Sequence, residues 1–366
     1  MRLMSACADR FARDAVRATA SRGENHPTAT PSATQMIPNA IDAAKPQIAS
    51  SDVSEAHLGL VSVIIPTLQR PTLLKRALES VFRQSWRELE VIVVVDGPDP
   101  DTIAVLQTIE DPRLRVVQNP RSLTAAGARN AGVDLAKGEW IAFLDDDDEW
   151  MPEKLAKQLA YAKSRDPALI TCLSCVVTSG GSFVRPQVIY DNLLPIDEYL
   201  FDRRSPFASR GFIQTSTYLL PRALCGDLRF RDDNPHDDWD FLLRLSKQRA
   251  VRVETVPEIL ARIYVDDARP SLSKSGTWLA SLQWVERMRP LLTSRAYGSL
   301  CLGVVGPRAA KERAHRASLL VLYRAFRQGS PRLWRAAAFL AVWLAPNGLT
   351  RRRTPDGAGI ERGIGQ

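Results

Sequence analysis

The 366-residue sequence contains little cysteine, little histidine and no long apolar run. Its five cysteines are scattered, and only Cys172 and Cys175 have CxxC spacing, with no second pair and no nearby histidine. This excludes a disulfide scaffold and favours two buried thiols on a strand over a zinc or redox site. No segment approaches the roughly 20 apolar residues of a membrane-spanning helix, and the first 20 residues lack the apolar region of a secretory signal. We therefore expect a cytoplasmic protein.

The charge of the chain is unevenly distributed. Residues Cys301–Gln366 contain 12 Lys and Arg against 3 Asp and Glu, a net +9, while the whole chain carries +8. The first 300 residues therefore carry a net charge of only −1. This pattern argues against a nucleic-acid groove through the body of the protein and predicts a basic tail that meets an anionic surface.

The order of apolar patterns predicts an α/β domain. Residues 1–58 are rich in Ala, Ser, Thr and Pro and predict a disordered segment. Beyond them, short β-branched runs alternate with helical spacings, which indicates a mostly parallel sheet flanked by helices. The strands are expected at 61–65, 90–95, 114–117 and 140–144. From Ser275 onward the pattern is helical, with breaks expected at Pro290, Gly306-Pro307 and Gly329–Pro331.

Polar side chains follow three of the expected strands. They are Thr67, Asp96 and the run Asp145–Asp148. Because ligands bind beyond the carboxyl ends of parallel strands, these residues are expected to meet at one edge of the sheet. Four adjacent carboxylates repel one another, and a hard cation such as Mg²⁺, Mn²⁺ or Ca²⁺ would relieve the repulsion. A solvated acidic turn that precedes a helix is the alternative.

Two helix starts carry further polar residues. Gly127-Ala-Arg-Asn130 lies early in a helix and suits an anion such as phosphate, although an ordinary helical arginine explains it equally well. His236-Asp-Asp-Trp-Asp240 begins another helix. Its aspartates are either caps or a general base, and we expect His236 at the surface.

Taken together, the motifs resemble glycosyltransferase family 2, whose members have the nucleotide-sugar-binding GT-A fold. The matching text comprises Val61-Ser-Val-Ile-Ile-Pro-Thr67, Val93-Val-Val-Asp-Gly97, Gly127-Ala-Arg-Asn-Ala-Gly132, Ala136–Asp148, Trp150–Leu155 and Asp237-Asp-Trp-Asp240. The resemblance covers roughly half of the chain. It implies an inverting, metal-dependent transferase that moves a sugar from a nucleoside-diphosphate donor to an acceptor hydroxyl.

The resemblance also implies residue roles. They are donor binding by Pro66, Thr67, Asp96, Arg129, Asn130 and Asp145, binding of Mn²⁺ or Mg²⁺ by Asp145 and Asp147, and base catalysis by Asp238. Many relatives carry a histidine near the metal or diphosphate in the stretch equivalent to Ile263–Ser273, which has none here, so Asp266 or Asp267 is a candidate substitute. The Gln-x-x-Arg-Trp element of processive synthases is absent, which favours transfer of a single sugar.

We expect three parts: the disordered segment 1–58, a GT-A domain at 59–290, and a helical basic tail at 291–366. The apolar run Ala336–Ala345 lies between arginines. It predicts either a helix at an anionic membrane surface or a helix packed on the catalytic domain. Relatives that build bacterial surface polysaccharide or glycolipid often use lipid-linked acceptors, which would place the protein at the inner face of the plasma membrane. A non-catalytic nucleotide-sugar-binding scaffold and a sugar nucleotidyltransferase are the alternative functions.

Overall fold

The computed structural model describes residues 57–162, 168–208, 211–265 and 276–344. Nine strands occur in these residues: His57–Thr67 (β1), Leu89–Val95 (β2), Leu114–Gln118 (β3), Gly138–Phe143 (β4), Glu149–Trp150 (β5), Ala168–Thr178 (β6), Gly181–Arg185 (β7), Leu219–Pro221 (β8) and Arg252–Tyr264 (β9). The α-helices of the same residues are Pro71–Phe82 (α1), Pro100–Gln107 (α2), Thr124–Leu135 (α3), Lys154–Ala162 (α4), Ile196–Phe201 (α5), Arg222–Cys225 (α6), Asp237–Leu243 (α7), Trp278–Arg287 (α8), Ser294–Leu300 (α9), Gly306–Lys311 (α10), His315–Arg327 (α11) and Leu333–Leu344 (α12).

The strands form one mixed sheet in the order β3-β2-β1-β4-β8-β6-β9-β5, with β7 paired to β6. The first four strands in that order, from β3 to β4, are parallel to one another. The short strand β8 runs antiparallel between β4 and β6, so β6 and β9 point the same way as β4. Strands β7 and β5 run antiparallel to β6 and β9. The prediction of a mostly parallel α/β sheet flanked by helices is confirmed.

The sequence explains the elements that position the site. Strand β2 is buried along Val91–Val95 because helices cover both faces of the sheet. Helix α1 begins at Pro71, whose fixed backbone angle suits the first helical turn. Between β1 and α1 the chain turns through Gln69, which has a positive φ of 55°. Its backbone amide donates to Asp99 Oδ2 over 2.5 Å, which holds this turn against the start of α2.

The expected break at Gly306-Pro307 was wrong. A π-helical segment, Cys301–Val305, joins α9 to α10 without interruption. Proline lacks an N–H and its ring crowds the carbonyl four residues earlier, so the wider π turn before it accommodates Pro307 within the helix. Gly306 serves packing instead, because a Cβ atom there would lie 2.5 Å from the Phe339 ring of α12.

Helix α12 packs one face on the rest of the domain. Arg335 donates to the Phe201 carbonyl over 2.5 Å, and Phe339 is 4% exposed. Arg332, which directly precedes α12, pairs with Asp202 at 2.8 Å. The other face exposes Leu333, Leu340 and Val342. Within the described ranges, none of the helices is long and apolar enough to cross a bilayer. The expectations for residues 1–56, for Asp266 and Asp267, and for the basic run Arg351–Arg353 fall outside the described residues.

Candidate active site

Arg129 of α3 joins two parts of the chain that lie far apart in the sequence. Its guanidinium donates to Asp145 over 2.7 Å and to Asp237 over 2.9 Å, and only 7% of the residue is exposed. Because Asp145 and Asp237 hold it, the pKa of Arg129 is raised despite its burial. The buried Arg129 side chain therefore fixes the acidic loop after β4, which is Asp145–Asp148, against the start of α7, where Asp238 lies.

The four aspartates of the acidic loop have two different environments. Asp146 and Asp148 point inward: Asp146 accepts from Thr67 Oγ1 over 2.8 Å and from Arg70 over 3.1 Å, and Asp148 accepts from Ser216 Oγ over 2.6 Å. Burial raises the pKa of Asp146 to about 6 and that of Asp148 well above its usual value. The inward pair thus anchors the loop.

Asp145 and Asp147 remain partly exposed, with side-chain exposures of 23% and 24%. They are the two residues predicted to bind a cation, and that role stays a prediction. Across the described residues, no group of three or more His, Cys, Asp or Glu side chains is arranged to hold a metal ion. Two carboxylates nevertheless fit Mg²⁺ or Mn²⁺, which usually take one or two carboxylates together with substrate phosphates and water.

Asp238 is the predicted base. Its Oδ1 accepts from the backbone N–H of Trp239 over 2.7 Å. Burial raises the pKa of the Asp238 carboxyl to about 7, with a further rise from the neighbouring Asp237 carboxylate. A carboxylate that gains its proton near neutral pH suits general-base catalysis, because the best catalytic pKa lies close to the working pH.

The expectation that His236 lies at the surface was wrong. The residue is 2% exposed, and its ring stacks on Trp239 at a centroid distance of 5.0 Å. Its Nε2 lies 2.9 Å from an Arg308 nitrogen of α10. Burial and the Arg308 charge lower the pKa of His236 to about 3, so the ring is neutral and accepts that hydrogen bond. His236 therefore connects the start of α7 to the C-terminal helices.

The other predicted donor-binding residues surround the same edge of the sheet. Asp96 follows β2, and its carboxylate accepts from Asn119, from Ser122 and from the backbone of Leu123 at 2.7–3.0 Å. These bonds shape the loop between β3 and α3 and leave part of the acceptor capacity of Asp96 unused. A bond from Asp96 to a base or ribose stays a prediction.

Pro66 and Asn130 have structural roles that the sequence did not indicate. Pro66 is a buried residue of β1 and lies opposite Val94 in the parallel register. The Asn130 side-chain amide donates to the Phe230 carbonyl over 2.9 Å and accepts from the Phe230 N–H over 2.8 Å. Asn130 thereby fixes the segment that leads into α7, and contact of either residue with a nucleotide stays a prediction.

Several residues of this site were not predicted from the sequence. Arg70 pairs with Asp146 and Asp147, and a basic residue just after β1 was a signal that could have identified it. Ser216 also bonds the backbone N–H of Asp145 over 3.1 Å. The backbone of Tyr264, at the end of β9, donates to Asp148 over 3.0 Å. No local pattern marks Ser216 or Tyr264, because both reach the loop only through the order of strands in the sheet.

Comparison with known proteins agrees with this architecture. The family model described as "Glycosyl transferase family 2" matches residues 62–224. The amylovoran biosynthesis glycosyltransferase AmsB of Erwinia amylovora is 30% identical over 244 residues, which are 64% of this chain and 79% of that protein. This chain belongs to glycosyltransferase family 2. The predicted family, the GT-A fold and the enzyme class are thereby confirmed.

Other relatives of this family 2 glycosyltransferase share a shorter region. The Escherichia coli protein WfaP, named as a UDP-Glc:alpha-D-GlcNAc-diphosphoundecaprenol beta-1,3-glucosyltransferase, is 34% identical over 105 residues, or 29% of this chain and 42% of that protein. Among solved structures, S. aureus TarS 1-349 matches at 19% identity with a TM-score of 0.47, over 80% of this chain and 74% of that one. That structural similarity is too low to support a functional comparison.

Proposed function

We propose that this glycosyltransferase moves one sugar from a nucleoside-diphosphate donor to a hydroxyl of a saccharide or lipid-linked acceptor, with inversion at the anomeric carbon. The observation that supports the proposal is the Arg129 bridge, which joins the start of α7 to the acidic loop. The family membership and the names of AmsB and WfaP support a role in bacterial surface polysaccharide or glycolipid assembly.

The chemistry follows from Asp238, which is next to the Asp237 partner of Arg129, and from the acidic loop, which contains the Asp145 partner of Arg129. Asp238 accepts the proton of the acceptor hydroxyl while the acceptor oxygen forms its bond to the anomeric carbon. The bond from that carbon to the diphosphate oxygen breaks, and the diphosphate leaves with the electron pair. A divalent cation held by Asp145 and Asp147 would stabilise the charge on the departing diphosphate as a Lewis acid. A single displacement of this kind inverts the anomeric centre.

The first test of this function measures donor binding by the full chain. UDP-glucose, GDP-mannose and dTDP-glucose, each with Mn²⁺, with Mg²⁺ and with chelator, are added in a thermal-shift assay. A ligand that binds only the folded protein raises its melting temperature. At a ligand concentration 100 times the Kd, the free energy of unfolding increases by about 2.7 kcal/mol. We expect a shift with one nucleotide that is lost with chelator. A folded protein that responds to none of the three would contradict the donor site.

We further propose that the exposed face of α12 contacts an anionic membrane. Leu333, Leu340 and Val342 are 80%, 44% and 40% exposed, and the chain beyond α12 contains Arg351-Arg-Arg353. Apolar side chains beside clustered arginines suit the surface of an anionic bilayer. A membrane contact would bring a lipid-linked acceptor close to the active site.

Replacement of Leu333 and Leu340 by Gln is expected to reduce co-sedimentation of the full chain with phosphatidylglycerol vesicles several-fold. The folded domain is expected to be unaffected, because both side chains are already exposed. The matched control replaces Leu193 and Phe207, which are 85% and 94% exposed elsewhere on the domain. Equal vesicle binding by both double variants would overturn the membrane role of α12. If the wild-type protein bound uncharged phosphatidylcholine vesicles as well as phosphatidylglycerol vesicles, the electrostatic part of the proposal would be overturned.

A further inference from the structure

Lys154 is a buried lysine that the proposed reaction does not use. It is the first residue of α4 and is 0% exposed. Its Nζ donates to Gln158 Oε1, one turn later in the same helix, over 2.7 Å. The same nitrogen lies 3.9 Å from the centre of the Trp150 ring. The ammonium therefore contacts one polar side chain of α4 and one aromatic side chain of β5.

The charge of Lys154 is buried without a countercharge. In the part of the chain that the structure describes, no carboxylate acts on this ammonium. The nearby Cys172 thiol is neutral, because burial raises its pKa to about 11. Burial lowers the pKa of Lys154 to about 8, so the ammonium is still mostly charged at pH 7. A buried charge costs free energy, whereas an apolar side chain would fill the same space without that cost. The charge therefore points to a role beyond packing.

Both partners of the ammonium hold the same turn of the chain, the 3₁₀ turn Thr215–Thr217. Trp150 Nε1 donates to the Ser216 carbonyl over 2.7 Å. Gln158 Nε2 donates to the Thr217 carbonyl over 2.8 Å. Trp150 is 3% exposed and Gln158 is 0% exposed, so water does not compete for these bonds. Two successive carbonyls of the turn are thus held by the two side chains that the ammonium contacts.

This turn presents a hydroxyl to the acidic loop. Ser216 Oγ donates to Asp148 Oδ2 over 2.6 Å and accepts from the backbone N–H of Asp145 over 3.1 Å. These bonds fix one inward aspartate of the loop and the backbone of one residue predicted to bind a cation. A continuous series of contacts thus runs from the Lys154 ammonium through Trp150 and Ser216 to the acidic loop.

We propose that Lys154 is a positioning residue for the acidic loop; this inference rests on the proposed function. Its ammonium fixes the Trp150 ring by a cation–π contact and the Gln158 side chain by a charge-assisted hydrogen bond. Both side chains therefore keep their N–H groups directed at the turn, and the turn holds Ser216 against the acidic loop. Outer contacts of this kind orient the residues that bind a metal, and their loss weakens metal binding by roughly 10–100-fold.

The test replaces Lys154 by Met in the full chain, which removes the ammonium and keeps an unbranched side chain. Calorimetry with Mn²⁺ measures the affinity for UDP-glucose, GDP-mannose and dTDP-glucose. We expect the affinity for the nucleotide-sugar that the wild type binds to fall about tenfold, the lower end of that range, because Lys154 acts through two further side chains.

The matched control is Lys157→Met in the same helix. The Lys157 side chain is 36% exposed and pairs with Glu153 and Glu258. This variant is expected to bind the nucleotide-sugar with wild-type affinity. If Lys154→Met also bound it with wild-type affinity, the inference would be overturned.

A double variant shows whether Lys154 acts through the turn. Ser216→Ala removes the hydroxyl that bonds the acidic loop and is expected to weaken nucleotide-sugar binding by itself. Once that hydroxyl is absent, Lys154→Met is expected to cause no further loss, because residues of one network do not contribute additively. Losses that multiply in the double variant would show that Lys154 influences binding by another route, and they would overturn the inference.

Folding is measured separately as the melting temperature without ligand. Lys154→Met relieves a buried charge but leaves Gln158 Oε1 without its donor, and these effects on stability have opposite signs. We therefore expect a melting temperature close to that of the wild type. A lowered melting temperature with unchanged nucleotide-sugar affinity would reveal a purely structural lysine and overturn the inference.

A second variant covers the case in which Lys154→Met does not fold. Lys154→Gln keeps an N–H donor but no charge, and it is expected to show the same loss of affinity and the same dependence on Ser216. Wild-type affinity in Lys154→Gln would overturn the inference alone. A folded wild type that binds none of the three nucleotide-sugars would overturn the proposed function and this inference with it.

Discussion

Asp238→Asn is expected to lower the rate of sugar transfer by a factor of about 10²–10⁴, the usual contribution of general-base catalysis. Asparagine has nearly the same shape as aspartate, but it cannot accept a proton from the acceptor hydroxyl. Donor binding depends on the acidic loop and its surroundings and is expected to be unchanged. The measurement is the initial rate of transfer together with the thermal shift that the donor produces.

The matched control for this variant is Asp232→Asn, which changes an exposed aspartate of the loop before α7. It is expected to transfer sugar at the wild-type rate. If Asp238→Asn also transferred at that rate, Asp238 would not be the base. A loss of donor-induced shift in Asp238→Asn would instead show that the residue holds the donor.

The same residue predicts the pH dependence of the wild-type enzyme. The base acts only when it is deprotonated, and the pKa of Asp238 is raised to about 7. We therefore expect kcat/KM to fall about tenfold for each pH unit below 7 and to level off above it. An acid limb near pH 4, the ordinary value for aspartate, would contradict the burial and charge environment assigned to Asp238.

Arg129→Met is expected to have the second-largest effect, because it removes the cation that joins Asp145 to Asp237. Removal of one partner from a buried charge pair costs about 3–5 kcal/mol, and the partial exposure of both carboxylates places the expected loss near the lower end. Donor binding is expected to weaken because the acidic loop loses its connection to α7. Any remaining activity should have its acid limb at higher pH, since the Arg129 charge lowers the pKa of Asp238.

The control for the arginine variant is Arg229→Met. Arg229 also pairs with an aspartate, Asp134 at 2.6 Å, but the side chains of this pair are 35% and 59% exposed. Exposed pairs contribute about 0–1 kcal/mol, so this variant is expected to unfold at nearly the wild-type urea concentration. Equal stability of the two variants in urea unfolding would show that the Arg129 bridge does not hold the site together.

Local sequence patterns were sufficient for the α/β half of the fold. Strand β2 and helix α1 form through contacts between residues close together in the sequence. The β-branched run of β2, the apolar spacing of α1 and the Pro71 at the start of α1 therefore predict them. The parallel arrangement then follows from the alternation of strands and helices, and it places Thr67, Asp96 and the acidic loop at one edge. The break expected at Gly306-Pro307 failed because a π turn and the packing of Phe339 compensate for the proline, and neither is visible in local spacing.

The sequence by itself determined the alternation of strands and helices in the α/β half, the acidic loop and the aspartate pair at the start of α7. Only the tertiary structure decided which aspartates of the loop face inward, since that depends on Thr67 and Ser216, both about 70–80 residues away in sequence. Arg129 bonds partners 16 and 108 residues distant in the sequence. Such contacts bring together chain segments that share no local periodicity, so no sequence pattern records them.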